Sequence, residues 1–295
     1  MFEQLSLFEK KRALDRIINV ASVPQRSPFR YPGGKTWLVP RLRQWLMSLS
    51  QRPACFIEPF AGGGIVSLTV AAENLADHVI MVELDDQVAA VWHTILEGDG
   101  YWLADQIVTF DLTMENAEAV ITKTPETVRE KAFQTILKNR IYRGGILAHG
   151  SGMLKYGENG KGIKSRWYPQ TLKKRSSAIT EMRHRISFIA GDGIETMRYY
   201  ADRPDAAFFI DPPYTAAGKK AGSRLYTHAD LDHEELFRVI RTVAGDFLMT
   251  YDDAEGVREL AQQQGFDMEL VAMKSTHHAE MTELLIGHTL AWARS

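Results

Sequence analysis

Asp211-Pro212-Pro213-Tyr214 ends a run of five apolar residues, Ala206 to Ile210. Such a run reads as a buried strand, and Asp-Pro-Pro as a rigid turn at its carboxyl end. Each proline fixes its φ angle and lacks a backbone donor, which leaves nearby carbonyls able to accept from another group. An acid, accepting carbonyls and an aromatic ring at one strand end suit a planar ligand bearing an amino group. The same residues also describe an ordinary strand exit, so the chemistry needs a second half elsewhere.

Phe56-Ile57-Glu58-Pro59-Phe60-Ala61-Gly62-Gly63-Gly64 offers that half. Glycines at a strand-to-helix junction let a nucleoside lie against bare backbone at a helix N-terminus. The next predicted strand, His78 to Val82, ends at Glu83. An acid ~20 residues past the glycine turn is positioned for both hydroxyls of a ribose. The G-x-G-x-x-G spacing of dinucleotide folds is absent, which points to a nucleoside without phosphate, S-adenosylmethionine being the common example. A further strand, Ile186 to Ala190, ends at Gly191-Asp192-Gly193, where the acid can accept from the amine of an adenine. Upstream, Phe29-Arg30-Tyr31-Pro32-Gly33-Gly34-Lys35 makes a tight turn that lets backbone approach a ligand, without phosphate-loop spacing.

Holding these strand ends together requires alternating strands and helices. Apolar periodicity predicts helices over 36–49, 65–75, 87–97, 228–244 and 254–264, with 101–132 also helical. Strands are expected at 247–251, 268–273 and 283–290, the last two as an antiparallel edge hairpin. The predicted fold is therefore α/β. At 295 residues the chain can bury a large core, and 45% hydrophobic with 24% charged residues is ordinary for a globular protein. No apolar run approaches the ~20 residues of a membrane span, and the N-terminus does not read as a signal peptide. The single cysteine, Cys55, cannot form an internal disulfide, which fits a cytoplasmic protein. No Cys/His spacing suggests zinc, and no metal is expected.

The net charge of −2 conceals an asymmetry. Between Lys138 and Arg185 stand twelve Lys/Arg and two acids, Glu158 and Glu181, or +10; the remainder carries 23 basic and 35 acidic residues, or −12. Arg and Lys interleave there with Tyr and Trp, a composition that grips phosphates and offers stacking surfaces to bases. An anionic polymer is the expected partner. Lys138, Arg140, Arg143, Lys164, Arg166, Lys173 and Lys174 are the candidate contacts, although Trp167 and Tyr168 also suit a small core. Beyond the Asp-Pro-Pro turn, Lys219, Lys220 and Arg224 lie in a loop expected near the site.

Gln4-Leu5-Ser6-Leu7-Phe8 resembles the pentapeptide by which bacterial replication and repair proteins dock on the DNA polymerase sliding clamp. Leu7 and Phe8 would fill an apolar pocket and Gln4 would bond at its rim. Alternatively, Leu5, Leu7 and Phe8 pin the terminal segment to the protein body.

With these residues assembled, the chain from about Phe29 to its end resembles the Dam-type (D12 class) DNA adenine-N6 methyltransferases. The resemblance rests on the Arg30–Lys35 turn, Glu58–Gly64, Glu83, Asp192, Asp211–Tyr214 and Glu283-Leu284-Leu285-Ile286. Their order, with the basic segment between glycine turns and Asp-Pro-Pro-Tyr, is that of enzymes carrying the recognition domain in the middle. It implies a Rossmann-like, S-adenosylmethionine-dependent methyltransferase sheet with an inserted, mainly helical, basic DNA-recognition subdomain. The implied division is an N-terminal extension over 1–28, cofactor-binding core over 29–132, target recognition over 133–185 and catalytic core over 186–295. Cofactor contacts fall to Tyr31, Gly34, Lys35, Glu58, Phe60, Ala61, Gly62, Gly63, Glu83, Asp192 and Asp211, with Glu83 on the ribose and Asp192 on the adenine. The implied catalytic set is Asp211, Pro212, Pro213 and Tyr214. The substrate adenine would leave duplex DNA, stack on Tyr214 and donate its amine hydrogens to Asp211 and the Pro212 carbonyl. The nearest rivals are an amine on RNA, cytosine N4, and a DNA-binding module without activity. Restriction-linked, stand-alone and phage-borne enzymes look alike at this level.

Overall fold

The structure, a computed structural model, describes residues 23–31, 33–148, 150–213, 231–274 and 280–294. Pro32, Tyr214, Lys219, Lys220, Arg224 and the Gln4, Leu5, Leu7 and Phe8 motif lie outside those residues.

Seven strands form one sheet: β1 (Cys55–Glu58), β2 (His78–Glu83), β3 (Ile186–Ala190), β4 (Ala206–Ile210), β5 (Asp246–Asp252), β6 (Asp267–Lys274) and β7 (Glu280–Gly287). Their order is β3-β2-β1-β4-β5-β7-β6. The first five are parallel, while β7 runs antiparallel to both β5 and β6. The predicted edge hairpin is thus present, with β7 entering between β5 and β6.

Both faces of the parallel part are covered, which explains its unbroken apolar runs. Along β4, Ala207 and Phe209 join one core cluster while Phe208 and Ile210 join the other, as the two-residue strand period requires. Phe56 and Ile57 of β1 divide the same way.

The helical stretch expected over 101–132 is broken into Gly100–Thr109, Met114–Thr122 and the first turns of Val128–Ile141. Side-chain caps explain the breaks. The Thr113 hydroxyl accepts from Asn116 N at 3.1 Å, and Thr127 from Glu130 N at 3.2 Å. The boundary expected at Phe133 therefore falls inside a continuous helix. The basic segment continues through short 3-10 turns into the helix Pro169–Glu181. Its Trp167, Leu172 and Ile179 are buried in the same cluster as Trp92 and Leu103, so it shares the sheet's core.

Candidate active site

The strand order reverses between β1 and β4, which are neighbours although β2 and β3 intervene in sequence. In an open parallel sheet that reversal leaves a crevice at the carboxyl ends of the strands. A cleft enclosing about 1190 Å³, part of it open solvent, lies there. It is lined by all eleven sequence-predicted cofactor residues (Tyr31, Gly34, Lys35, Glu58, Phe60, Ala61, Gly62, Gly63, Glu83, Asp192 and Asp211) together with Pro212 and Pro213.

The glycines of the first turn answer to Tyr31. A Cβ on Gly62 would stand 2.6 Å from Tyr31 Cε1, and one on Gly63 would stand 2.8 Å from Tyr31 Cβ. Gly62 also has φ +47, which L side chains rarely adopt. The Gly62 carbonyl accepts from Trp92 Nε1 at 2.9 Å, so the loop is fixed from beneath. Bare backbone beside an aromatic ring is the surface a nucleoside needs.

Glu83 is braced rather than loose. Its Oε2 accepts from Gly62 N and its Oε1 from Asp85 N, each at 2.8 Å. Burial pushes its carboxyl up to about 7, against the pull of those two amides. Glu58 accepts from Ser67 N at 2.9 Å, and burial pushes it up to about 8, with the Asp211 and Glu83 charges acting the same way. Asp192 Oδ1 caps the helix Gly193–Tyr199, accepting from Ile194 N at 2.7 Å and Glu195 N at 3.0 Å. Asp192 therefore has a local structural duty as well as a place on the cleft wall.

Five acids (Glu58, Glu83, Asp85, Asp192 and Asp211) line the cleft, and Lys35 is the one Lys or Arg among its described lining residues. Such a site disfavours phosphate and suits a cationic ligand. Lys35 is buried, with Nζ 2.9 Å from Asp211 Oδ1, 3.5 Å from Glu283 Oε2, and donating to Gly33 O at 3.2 Å. Asp211 Oδ1 also accepts from Thr250 Oγ1 at 2.9 Å. Lys35 and Thr250 thus fix the rotation of the Asp211 carboxylate from two elements. Glu283 is pushed up to about 7, chiefly by burial, with Lys35 pulling the other way.

Sequence reasoning assigned no site role to Thr250, Glu283, Tyr251 or His233. Glu283 carried a signal: it is an acid in the otherwise apolar run Leu284-Leu285-Ile286, and a buried charge demands a partner. Thr250 and Tyr251 carried none, because their proximity comes from the pairing of β4 with β5. Tyr251 is fully buried, its hydroxyl 2.7 Å from His233 Nδ1, and burial raises its pKa with the Asp211 charge adding to the effect.

The candidate basic contacts are placed unequally. Arg143 and Lys174 are exposed, as is Lys164, whose ammonium stands 3.5 Å from Asp111. Lys173 pairs with Asp105 at 2.8 Å. Lys138 is half-buried and donates to Gln134 Oε1 at 2.9 Å, and Arg166 is half-buried. Arg140 is buried, with Nη2 donating to Pro28 O; burial, then the Arg175 and Arg30 charges, lower its pKa to about 9. Tyr156 and Tyr168 are exposed, whereas Trp167 is core. No described helix is long and apolar enough to cross a membrane.

Comparison with known proteins adds a family. The family model described as D12 class N6 adenine-specific DNA methyltransferase matches residues 31–276, most of the chain. No curated protein matches significantly. Among solved structures, a Pyrococcus horikoshii protein provisionally described as an RNA methyltransferase is similar at 12% identity and TM-score 0.39, over 95% of this chain and 97% of its own. The rRNA methyltransferase AviRa of Streptomyces viridochromogenes is similar at 12% identity and TM-score 0.39, over 88% of this chain and 86% of its own. A precorrin-6y C5,15-methyltransferase of Geobacter metallireducens matches at 9% identity and TM-score 0.37, over 93% and 94% of the two chains.

Proposed function

The chain belongs to the D12 class N6 adenine-specific DNA methyltransferase family, and from that premise we propose how its cleft and its basic segment divide the work. It is an S-adenosylmethionine-dependent enzyme that methylates adenine N6 in DNA. S-adenosylmethionine, when bound, supplies an electrophilic methyl group on a sulfonium. The cleft fits that donor: bare glycine backbone meets Tyr31, braced Glu83 faces a ribose, and five acids complement a cation.

The observation that carries the catalytic reading is the doubly held Asp211 carboxylate beside Pro212, on the same cleft as the glycine loop. Asp211 and the Pro212 carbonyl accept the two hydrogens of a flipped adenine's amine. These bonds aim the nitrogen lone pair toward the donor and stabilise the positive charge that develops on nitrogen. Asp211 need not be a strong base, since the proton can leave after transfer. Tyr214, next in sequence, is the proposed stacking platform. Residues 133–185 are proposed to recognise double-stranded DNA through their basic surface. Gln4, Leu5, Leu7 and Phe8 are proposed to dock on a sliding clamp, within the cytoplasm where DNA and donor are both available; equal clamp pull-down by wild type and a Leu7→Ala/Phe8→Ala variant would refute this.

The test is labelled methyl transfer to defined DNA, with modified bases mapped by single-molecule sequencing. Asp211→Ala should retain its fold and some binding of S-adenosylhomocysteine, the demethylated product, but lose transfer. Near-normal transfer by that variant would overturn the assignment, and modified cytosine would redirect it.

A further inference from the structure

The segment from Ser27 to Tyr31 is held along its length by residues of the basic region. Arg175 Nη1 donates to Ser27 O at 2.9 Å, and Arg140 donates to Pro28 O. Asn139, with no exposed surface, makes the closest set of bonds: Arg30 N donates to its Oδ1 at 2.8 Å, and its Nδ2 donates to Arg30 O at 2.8 Å. The same Nδ2 donates to Gly145 O at 2.7 Å. Every hydrogen-bonding position of the amide except one acceptor lone pair is then used. Gly145 is pressed against this point, since a Cβ there would stand 2.6 Å from Arg30 O, and it lines the cleft.

What this clamp holds is the approach to the donor pocket. The next residue is Tyr31, whose ring and Cβ occupy the space that Gly62 and Gly63 leave open. Phe29, on the other side of Arg30, packs edge-on against Trp92 at 5.4 Å, and Trp92 holds the Gly62 carbonyl. Arg30 is thus the midpoint of a strap whose two neighbours both bear on the glycine loop. Asn139 fixes that midpoint by its backbone, independently of the Arg30 side chain.

We infer that Asn139 is a positioning residue for the methyl donor: it sets Tyr31 over the glycine loop from within the basic region, touching neither donor nor DNA. A two-way amide grip fixes the Arg30 backbone at both its N–H and its carbonyl, which a purely apolar contact would not. The inference rests on the reading of this cleft as the donor pocket. It has a corollary: because the helix carrying Asn139 leads directly into the basic segment with the exposed Arg143, engagement of DNA by that segment and of donor by the cleft are linked, and linkage is reciprocal.

The test uses the full chain with two variants, Asn139→Ala and the isosteric Asn139→Asp, which opens no cavity but turns an acid toward two carbonyls. Three readouts are taken: Kd for S-adenosylhomocysteine by calorimetry, Kd for a random-sequence duplex by anisotropy without cofactor, and the KM and kcat of transfer. Both variants should weaken S-adenosylhomocysteine binding about tenfold or more, because Asn139→Asp removes the two buried bonds that Nδ2 donates and Asn139→Ala removes all three. Duplex affinity should stay within about twofold, and KM for the donor should rise by more than kcat falls. Unchanged product affinity in a cooperatively folding Asn139→Asp variant would overturn the inference, as would equal losses of product and duplex affinity. Wild-type chain that binds no S-adenosylhomocysteine would instead remove the donor-pocket reading, and this inference with it.

Discussion

Lys35 Nζ stands 2.9 Å from Asp211 Oδ1 and 3.5 Å from Glu283 Oε2, a single buried ammonium between a carboxylate at the end of β4 and one on β7. The contact joins the glycine turn that carries Lys35 to the Asp-Pro-Pro turn. Asp252 lies opposite Glu283 in the antiparallel register and adds its charge against Glu283. The cation is therefore what makes this density of acids tolerable. Taking buried charges out of water is costly, and removing one partner leaves the other uncompensated.

Lys35→Met should accordingly destabilise the protein by about 3–5 kcal/mol, as for other broken buried pairs, read from urea unfolding. Adding Glu283→Gln should restore part of that loss, because it removes one of the stranded acids. Methyl transfer should remain defective in both, since Asp211 Oδ1 has lost its ammonium. An additive double variant would show that Lys35 and Glu283 do not share their energy.

Gly62→Ala should weaken stability by two routes. The left-handed φ of +47 costs an L residue roughly 1–2 kcal/mol, and the new methyl strikes the Tyr31 ring. In a Tyr31→Ala background only the backbone route remains, so the cost should fall by about 1 kcal/mol or more, within the range of contacting pairs. An equal cost in both backgrounds would separate Tyr31 from the glycine loop.

Donor affinity should depend on pH, and the sign follows from the raised acids. Glu83 at about 7 and Glu58 at about 8 hold protons in the free protein that a bound cation disfavours. S-adenosylmethionine should therefore displace protons, and its affinity should climb from pH 6 and level off above about pH 8. S-adenosylhomocysteine, which lacks the sulfonium charge, should show a shallower rise. Calorimetry in buffers of different ionisation enthalpy counts the protons directly. Stability of the free chain should run the other way: these folded-state values exceed the unfolded one of 4.5, so their contribution is full below about 4.5 and is lost as pH rises through 7 to 8.

Much of this site was legible in the sequence because strand ends announce themselves. Apolar runs closed by Glu58, Glu83, Asp192 and Asp211 gave both the parallel sheet and the acids that converge at its carboxyl edge. Contacts between elements distant in sequence were not legible. Thr250 reaches Asp211 only because β5 pairs with β4, and Asn139 reaches Arg30 across 109 residues of chain. Composition also misleads about individual charges. Arg140 counts toward the basic segment's field in sequence, yet it is buried and spends a donor on Pro28 O.

That difference in burial separates structural cations from the exposed ones proposed to face DNA. Arg140→Ala should cost stability, about 1–3 kcal/mol for a lost buried hydrogen bond, and should weaken duplex binding only as the fold loosens. Lys164→Ala combined with Lys174→Ala, both exposed positions, should leave unfolding within about 0.5 kcal/mol of wild type. It should weaken duplex binding and lower the slope of log K against log salt by about 0.9 for each phosphate contact removed. Lys164 has a competing neighbour in Asp111 at 3.5 Å, so Lys174→Ala alone should carry the cleaner unit change in slope. An unchanged slope in the double variant would remove Lys164 and Lys174 from the proposed DNA-binding surface.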